Sequence, residues 1–196
     1  MRFGAVLLVG VVLCPEAQGT TTLERAGPWE AYVATSPEGT TLCGISQFSE
    51  PYALMLKYQP GASFIHLRKS TWNVPRWARM TVSFSIDGRH VWTGRFTGTS
   101  DARMIEGDFN TLAQALEFVR AFAWGQRMAI RFVEGTEAPW VADLTGTLRV
   151  SRAFLACVVA LEERRNPTQP YGRAPPSDPQ PFGQPGGQPR PSGRGM

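Results

Sequence analysis

Residues 80–88 read MTVSFSIDG, and they carry the clearest structural signal in the chain. Met80, Val82, Phe84 and Ile86 alternate with Thr81, Ser83, Ser85 and Asp87. Strand side chains point alternately to opposite faces, so the first set turns toward a core and the second away from it. Asp87-Gly88 then supplies a type I′-like hairpin turn, because both residues tolerate the positive φ that such a turn requires. The chain must return antiparallel through Arg89–Thr97. An antiparallel, β-rich domain follows from this one stretch.

The flanking sequence repeats the pattern. Trp29–Thr35 and Thr41–Phe48 are separated by the turn residues Ser36-Pro37-Glu38-Gly39. Ala53–Tyr58 and Phe64–Lys69 are separated by Gln59-Pro60-Gly61-Ala62. Both spacers are turn chemistry between strand-like runs. A short strand is expected near Arg103–Glu106. The period then changes. Over Asn110–Trp124, residues Leu112, Ala115, Leu116, Val119, Phe122 and Ala123 fall on one helical face. Thr111 with Gln114 matches a capping box, and Gly125 stops the helix. Arg127–Glu134 and Trp140–Leu144 read as strands around Gly135-Thr136-Glu137. A last helix is expected from Thr147 to about Arg164. Its inward face is Val150, Phe154, Cys157 and Leu161, with Leu155 and Val158 on the flank. The order predicts an α+β fold: a mostly antiparallel twisted sheet or sandwich with two packed helices.

The two ends differ from this domain. In MRFGAVLLVGVVLCPEAQG, Arg2 precedes an apolar run that Pro15 breaks, and Ala17-Gln18-Gly19 offers small residues for cleavage. Residues 1–19 therefore read as a secretory signal. A retained anchor is the alternative, although the run falls short of the roughly 20 apolar residues that span a bilayer. Cys14 would leave with the signal, since Leu13 is too large for the position before a lipidated cysteine. Residues 20–165 form the globular domain, the size of one ordinary unit. Residues 166–196 are Pro-, Gly- and Gln-rich, and are expected to form a disordered tail that cannot bury enough apolar area to offset its ordering entropy.

Two cysteines remain after cleavage, Cys43 and Cys157. An even pair in an exported chain predicts a disulfide. It would close a loop of about 115 residues and contribute about 4–5 kcal/mol by chain entropy. Two buried free thiols are the alternative.

Candidate chemistry is sparse. The formal net charge of +4 is spread along the chain, so nucleic acid is not an expected partner. No phosphate-loop or dinucleotide fingerprint occurs, and no paired His or Cys stands at metal-ligand spacing, so no metal or cofactor is expected. His66 lies between the inward Ile65 and Leu67, so His66 and Arg68 are expected to face solvent or a groove. His90 follows the hairpin turn. A small hydrolase using His66 or His90 with Ser83 or Ser85 and Asp87 is the alternative functional reading, though no nucleophile elbow is present. The more distinctive stretch is STWNVPRWARM, in which Trp72, Arg76, Trp77 and Arg79 surround Pro75. Exposed, these four would stack on sugars, hold an anionic partner or touch a membrane surface. Buried, Trp72 would cap the core. Trp29, Trp92, Trp124 and Trp140 are expected in the core or at its edge.

The signal-like start, Trp29, TLCGISQF, FSIDG and LTGTLRVSRAFLAC together resemble the small exported alphaproteobacterial proteins of the invasion-associated locus B type. That resemblance spans roughly residues 29–158 in order and spacing style. It implies a periplasmic or secreted β-rich domain without an enzymatic role, and it supplies no functional residues. The expected function is a non-enzymatic envelope binding module. Its partner would be an envelope protein or cell-wall component, and membrane contact would come only through an uncleaved signal.

Overall fold

The protein is described from a computed structural model that covers residues 19–36 and 39–165. The expected signal segment up to residue 18, Pro37-Glu38 of the first turn and the expected disordered tail lie outside the described residues. In chain order the elements are β1 (Thr20–Ala26), β2 (Trp29–Thr35), β3 (Thr41–Ser49), β4 (Tyr52–Gln59), β5 (Ala62–Lys69), β6 (Arg79–Ile86), β7 (Arg89–Gly98), β8 (Met104–Asp108), α1 (Leu112–Trp124), β9 (Arg127–Phe132), β10 (Trp140–Asp143) and α2 (Thr147–Arg165).

All the strands join one antiparallel sheet, in the order β1-β2-β3-β4-β5-β8-β7-β6-β9-β10. The α+β expectation holds: among the described residues one sheet carries two packed helices. The first five strands form a simple meander. The chain then leaves β5 and crosses the ends of β8 and β7 before entering β6. With strands about 4.8 Å apart, that crossover spans about 14 Å. This distance is why residues 70–78 form a long connection and not a tight turn.

The alternation at Met80–Asp87 behaves as expected: Val82, Phe84 and Ile86 are buried. Asp87 (φ 49°) and Gly88 (φ 79°) both adopt positive φ, as the hairpin requires. The Asp87 carboxylate also accepts hydrogen bonds from the backbone N–H of Gln126 and Arg127, at 3.1 and 2.9 Å, and so ties this hairpin to the start of β9. The sheet curls on itself. Near β10, the Trp29 indole of β2 donates to the Asp143 carbonyl at 2.8 Å, and the rings of Tyr52 (β4) and Trp140 (β10) lie 4.6 Å apart.

The core fills the inner surface and the helices cover it. Helix α2 packs on β1 to β4, and α1 packs on β5, β7 and α2. An aromatic cluster joins β6 and β7 to α1: Trp92 lies 4.4 Å from Phe109, and Phe84 lies 5.5 Å from Phe118. Thr111 caps α1 by accepting from the Gln114 N–H at 3.1 Å. The Asn110 N–H, one residue before the cap, donates in turn to Gln114 Oε1 at 3.1 Å.

The disulfide forms between Cys43 of β3 and Cys157 of α2, with Cα atoms 6.0 Å apart and 114 residues of separation. The expected strand Thr41–Phe48, which carries Cys43, is the third and not the second, because β1 precedes Trp29–Thr35. Two further expectations are corrected. The buried face of α1 is Ala115, Phe118, Val119 and Phe122, while Leu112 is exposed. The buried stripe is rotated around the helix toward Phe118 and away from Leu112, because α1 packs against β5, β7 and α2 together. Trp124, the last residue of α1, is 70% exposed and not at the core. Gly125 ends α1 in extended backbone; a Cβ there would meet the Ile86 side chain at 2.3 Å, so close approach is what requires glycine.

Candidate functional site

Register builds the outer face of the sheet one side chain per strand. Met55 of β4 stands beside His66 of β5, His66 beside Glu106 of β8, Glu106 beside Thr97 of β7, and Thr97 beside Arg79 of β6. Two residues along, the same face carries Asp108 on β8 and Arg95 on β7. The crossover passes over the ends of β7 and β8 and sets Trp77 at the margin of this row. Trp77, Arg79, Arg95, Thr97, Glu106 and Asp108 enclose a groove of about 420 Å³.

The two crossover tryptophans have opposite fates. Trp72 turns inward. Its ring lies 5.1 Å from Trp140 and 5.6 Å from Phe132, and its indole N–H donates to Glu137 Oε2 at 3.0 Å. Glu137 also accepts from Trp140 at 2.9 Å and from Lys69 Nζ at 2.7 Å. Burial acts to raise the Glu137 carboxyl, but these hydrogen bonds outweigh it and hold the group below its ordinary value.

Trp77 turns outward and is 66% exposed. Its backbone has φ 69°, a left-handed conformation that bulky residues rarely adopt. The Trp77 N–H donates to the Gly98 carbonyl at 3.2 Å, and the Ala78 N–H to Pro75 at 3.0 Å. Gly98 allows the approach: a Cβ there would lie 2.3 Å from the Pro75 oxygen. The Arg76 guanidinium stacks over the Trp77 ring, 4.7 Å from its centroid. The four residues expected to act together therefore divide. Arg76, Trp77 and Arg79 reach the outer face, and Trp72 anchors the loop to the core.

His66 lies on the face opposite Ile65 and Leu67, as its position requires, but it does not face solvent. It is only 6% exposed, flanked by Met55 and Glu106, with the Phe64 ring 5.3 Å away. The expectation of an open histidine is corrected: a central strand has neighbours on both sides that shield its outer face. His66 Nε2 hydrogen-bonds Glu106 Oε2, and its Nδ1 is buried without a partner among the described residues. The Glu106 carboxyl is held below its ordinary value, chiefly by the hydrogen bond to His66. The neighbouring Asp108 carboxyl is pushed up by burial and by the Glu106 charge. His90 directs Nε2 to Thr93 Oγ1 at 2.8 Å, and the Asp87 carboxylate is committed to backbone N–H groups, so the serine-based arrangement is not assembled among the described residues.

Glu106, Asp108, Arg95 and Thr97 were not singled out from sequence. The signal was available in part: Glu106 and Asp108 are two apart on a short strand, as are Arg95 and Thr97, so each pair shares a face. What brings the pairs together is the β7–β8 register.

A larger depression of about 1140 Å³ opens beside the β6–β7 turn and the start of α2. Its carboxylates are engaged in local structure, Asp87 as above and Asp143 with Thr145, whose N–H donates at 2.8 Å. The groove at Trp77 differs in having unpaired groups: among the described residues, neither Arg79 nor Arg95 forms an ion pair. Comparison with known families, with curated proteins and with solved structures finds no match to this chain.

Proposed function

We propose that this chain is an exported, non-enzymatic binding module of the bacterial envelope, and that it captures an envelope component through the groove at Trp77. The observation that carries the proposal is Trp77 itself. A tryptophan held 66% exposed in left-handed backbone forgoes burial and bears strain of about 1–3 kcal/mol. An exposed aromatic beside arginines without ion pairs has the composition of a recognition surface. The disulfide supports an oxidising compartment. Among the described residues no helix is long and apolar enough to cross a membrane. The resemblance to the invasion-associated locus B type points the same way.

The test is site-specific photocrosslinking in intact cells, with a photoreactive residue in place of Thr97. A discrete adduct that disappears in the Trp77→Ala background is the expected result. Absence of any adduct, or one indifferent to Trp77, would overturn the proposal. Mass spectrometry of the protein from the periplasmic fraction should find the Cys43–Cys157 crosslinked peptide.

A further inference from the structure

Resting on that reading, we infer that the ligand of the Trp77 groove is a saccharide. The charged groups of the groove balance: Arg79 and Arg95 line it with Glu106 and Asp108, and of the charges just outside, Lys57 beside Glu106 offsets Glu134 beside Arg95. A balanced site has no net field to draw a phosphate or a polycation, so it suits a neutral polar ligand. The one large apolar surface is the indole, too little for an acyl chain or the apolar face of a helix. A peptide strand is disfavoured for a different reason. Strands β6, β7 and β8 each lie between two neighbours, so the groove sits on the face of the sheet and not along an outer edge strand that a peptide could extend.

The remaining chemistry matches a sugar ring. Guanidinium groups donate in pairs and carboxylates accept in pairs, while hydroxyls do both. Adjacent ring hydroxyls can therefore satisfy Arg95 and Glu106 together. The C–H face of the ring stacks on an aromatic surface such as Trp77. Glu106 is oriented in advance: His66 occupies Oε2, and Oε1 has no partner among the described residues. The groove volume of about 420 Å³ lies within the usual small-ligand range of about 300–1,000 Å³.

The experiment is a printed array of bacterial and synthetic glycans probed with the labelled full chain, followed by calorimetric titration of the strongest binder. Binding to a defined subset of glycans is expected. Trp77→Ala and Arg95→Ala should each weaken it about tenfold or more, while Trp77→Phe retains part of the affinity. Both positions are exposed, so unchanged circular dichroism should show that the variants fold. A blank array overturns the saccharide assignment, and so does glycan binding that neither substitution weakens. The crosslinking experiment separates the two levels. A Trp77-dependent adduct to a protein with a blank array removes the sugar and keeps the binding module. No adduct and a blank array remove both.

Discussion

Trp72 and Trp77 sit five positions apart in one loop and could not be sorted by residue type. Their neighbours in space sort them. Trp72 meets Glu137, Phe132 and Trp140, whereas Trp77 meets Arg76 and solvent. This gives a test that distinguishes a structural from a functional tryptophan. Trp77→Gly removes an exposed ring and relieves a positive φ, so thermal stability should stay level or rise by up to about 1 kcal/mol, while ligand capture is lost. A marked fall in Tm would mean that the ring is structural. Glu137 behaves oppositely. Glu137→Ala leaves the indole N–H groups of Trp72 and Trp140 without their acceptor and should cost about 1–3 kcal/mol in denaturant titration. Its pH dependence has a definite sign. The folded carboxyl lies below its ordinary value of 4.5, so it stabilises the fold above about pH 4.5. That contribution is lost as pH falls through the lower folded value. Glu137→Gln should therefore flatten the acid limb of the stability curve, and an unchanged limb would refute the assignment.

Elements differ in how much local sequence reveals. Strand β6 is legible because one face is wholly buried and the other is not, so alternation is strict. Helix α1 is legible from its capping residues, although its buried stripe rotates to take in Phe118. Strand β1, TTTLERA, was missed because it is an edge strand with a largely exposed, polar sequence. It carries almost no apolar period, and only pairing with β2 makes it a strand. The crossover between β5 and β6 is the element that makes the site, and its seat is Gly98. Gly98→Ala would push a methyl into the Pro75 carbonyl and displace the segment that carries Trp77. The expected outcome is a modest stability loss of about 1–3 kcal/mol with a larger loss of ligand affinity. Equal affinity in the variant would show that the loop position does not matter for binding.

At the scale of the molecule, the disulfide and the curled sheet act together. Cys43–Cys157 ties β3 to α2 across 114 residues, and so restricts the unfolded chain over most of the domain. Differential scanning calorimetry of a Cys43→Ala/Cys157→Ala variant should show Tm lower by about 10–15 °C, from a loss of about 4–5 kcal/mol. A shift below about 3 °C would contradict the crosslink. The antiparallel class, both helices, the cysteine pairing and the inward faces of most strands were legible in the chain, because each rests on short-range periodicity, turn chemistry or compartment logic. The strand order, the burial of His66, the division of the two loop tryptophans and the meeting of Arg79, Arg95, Glu106 and Asp108 were not. Each of these depends on which strands lie side by side. That choice is made by long-range packing of the inner face against α1 and α2, and the polar outer face takes its arrangement from it.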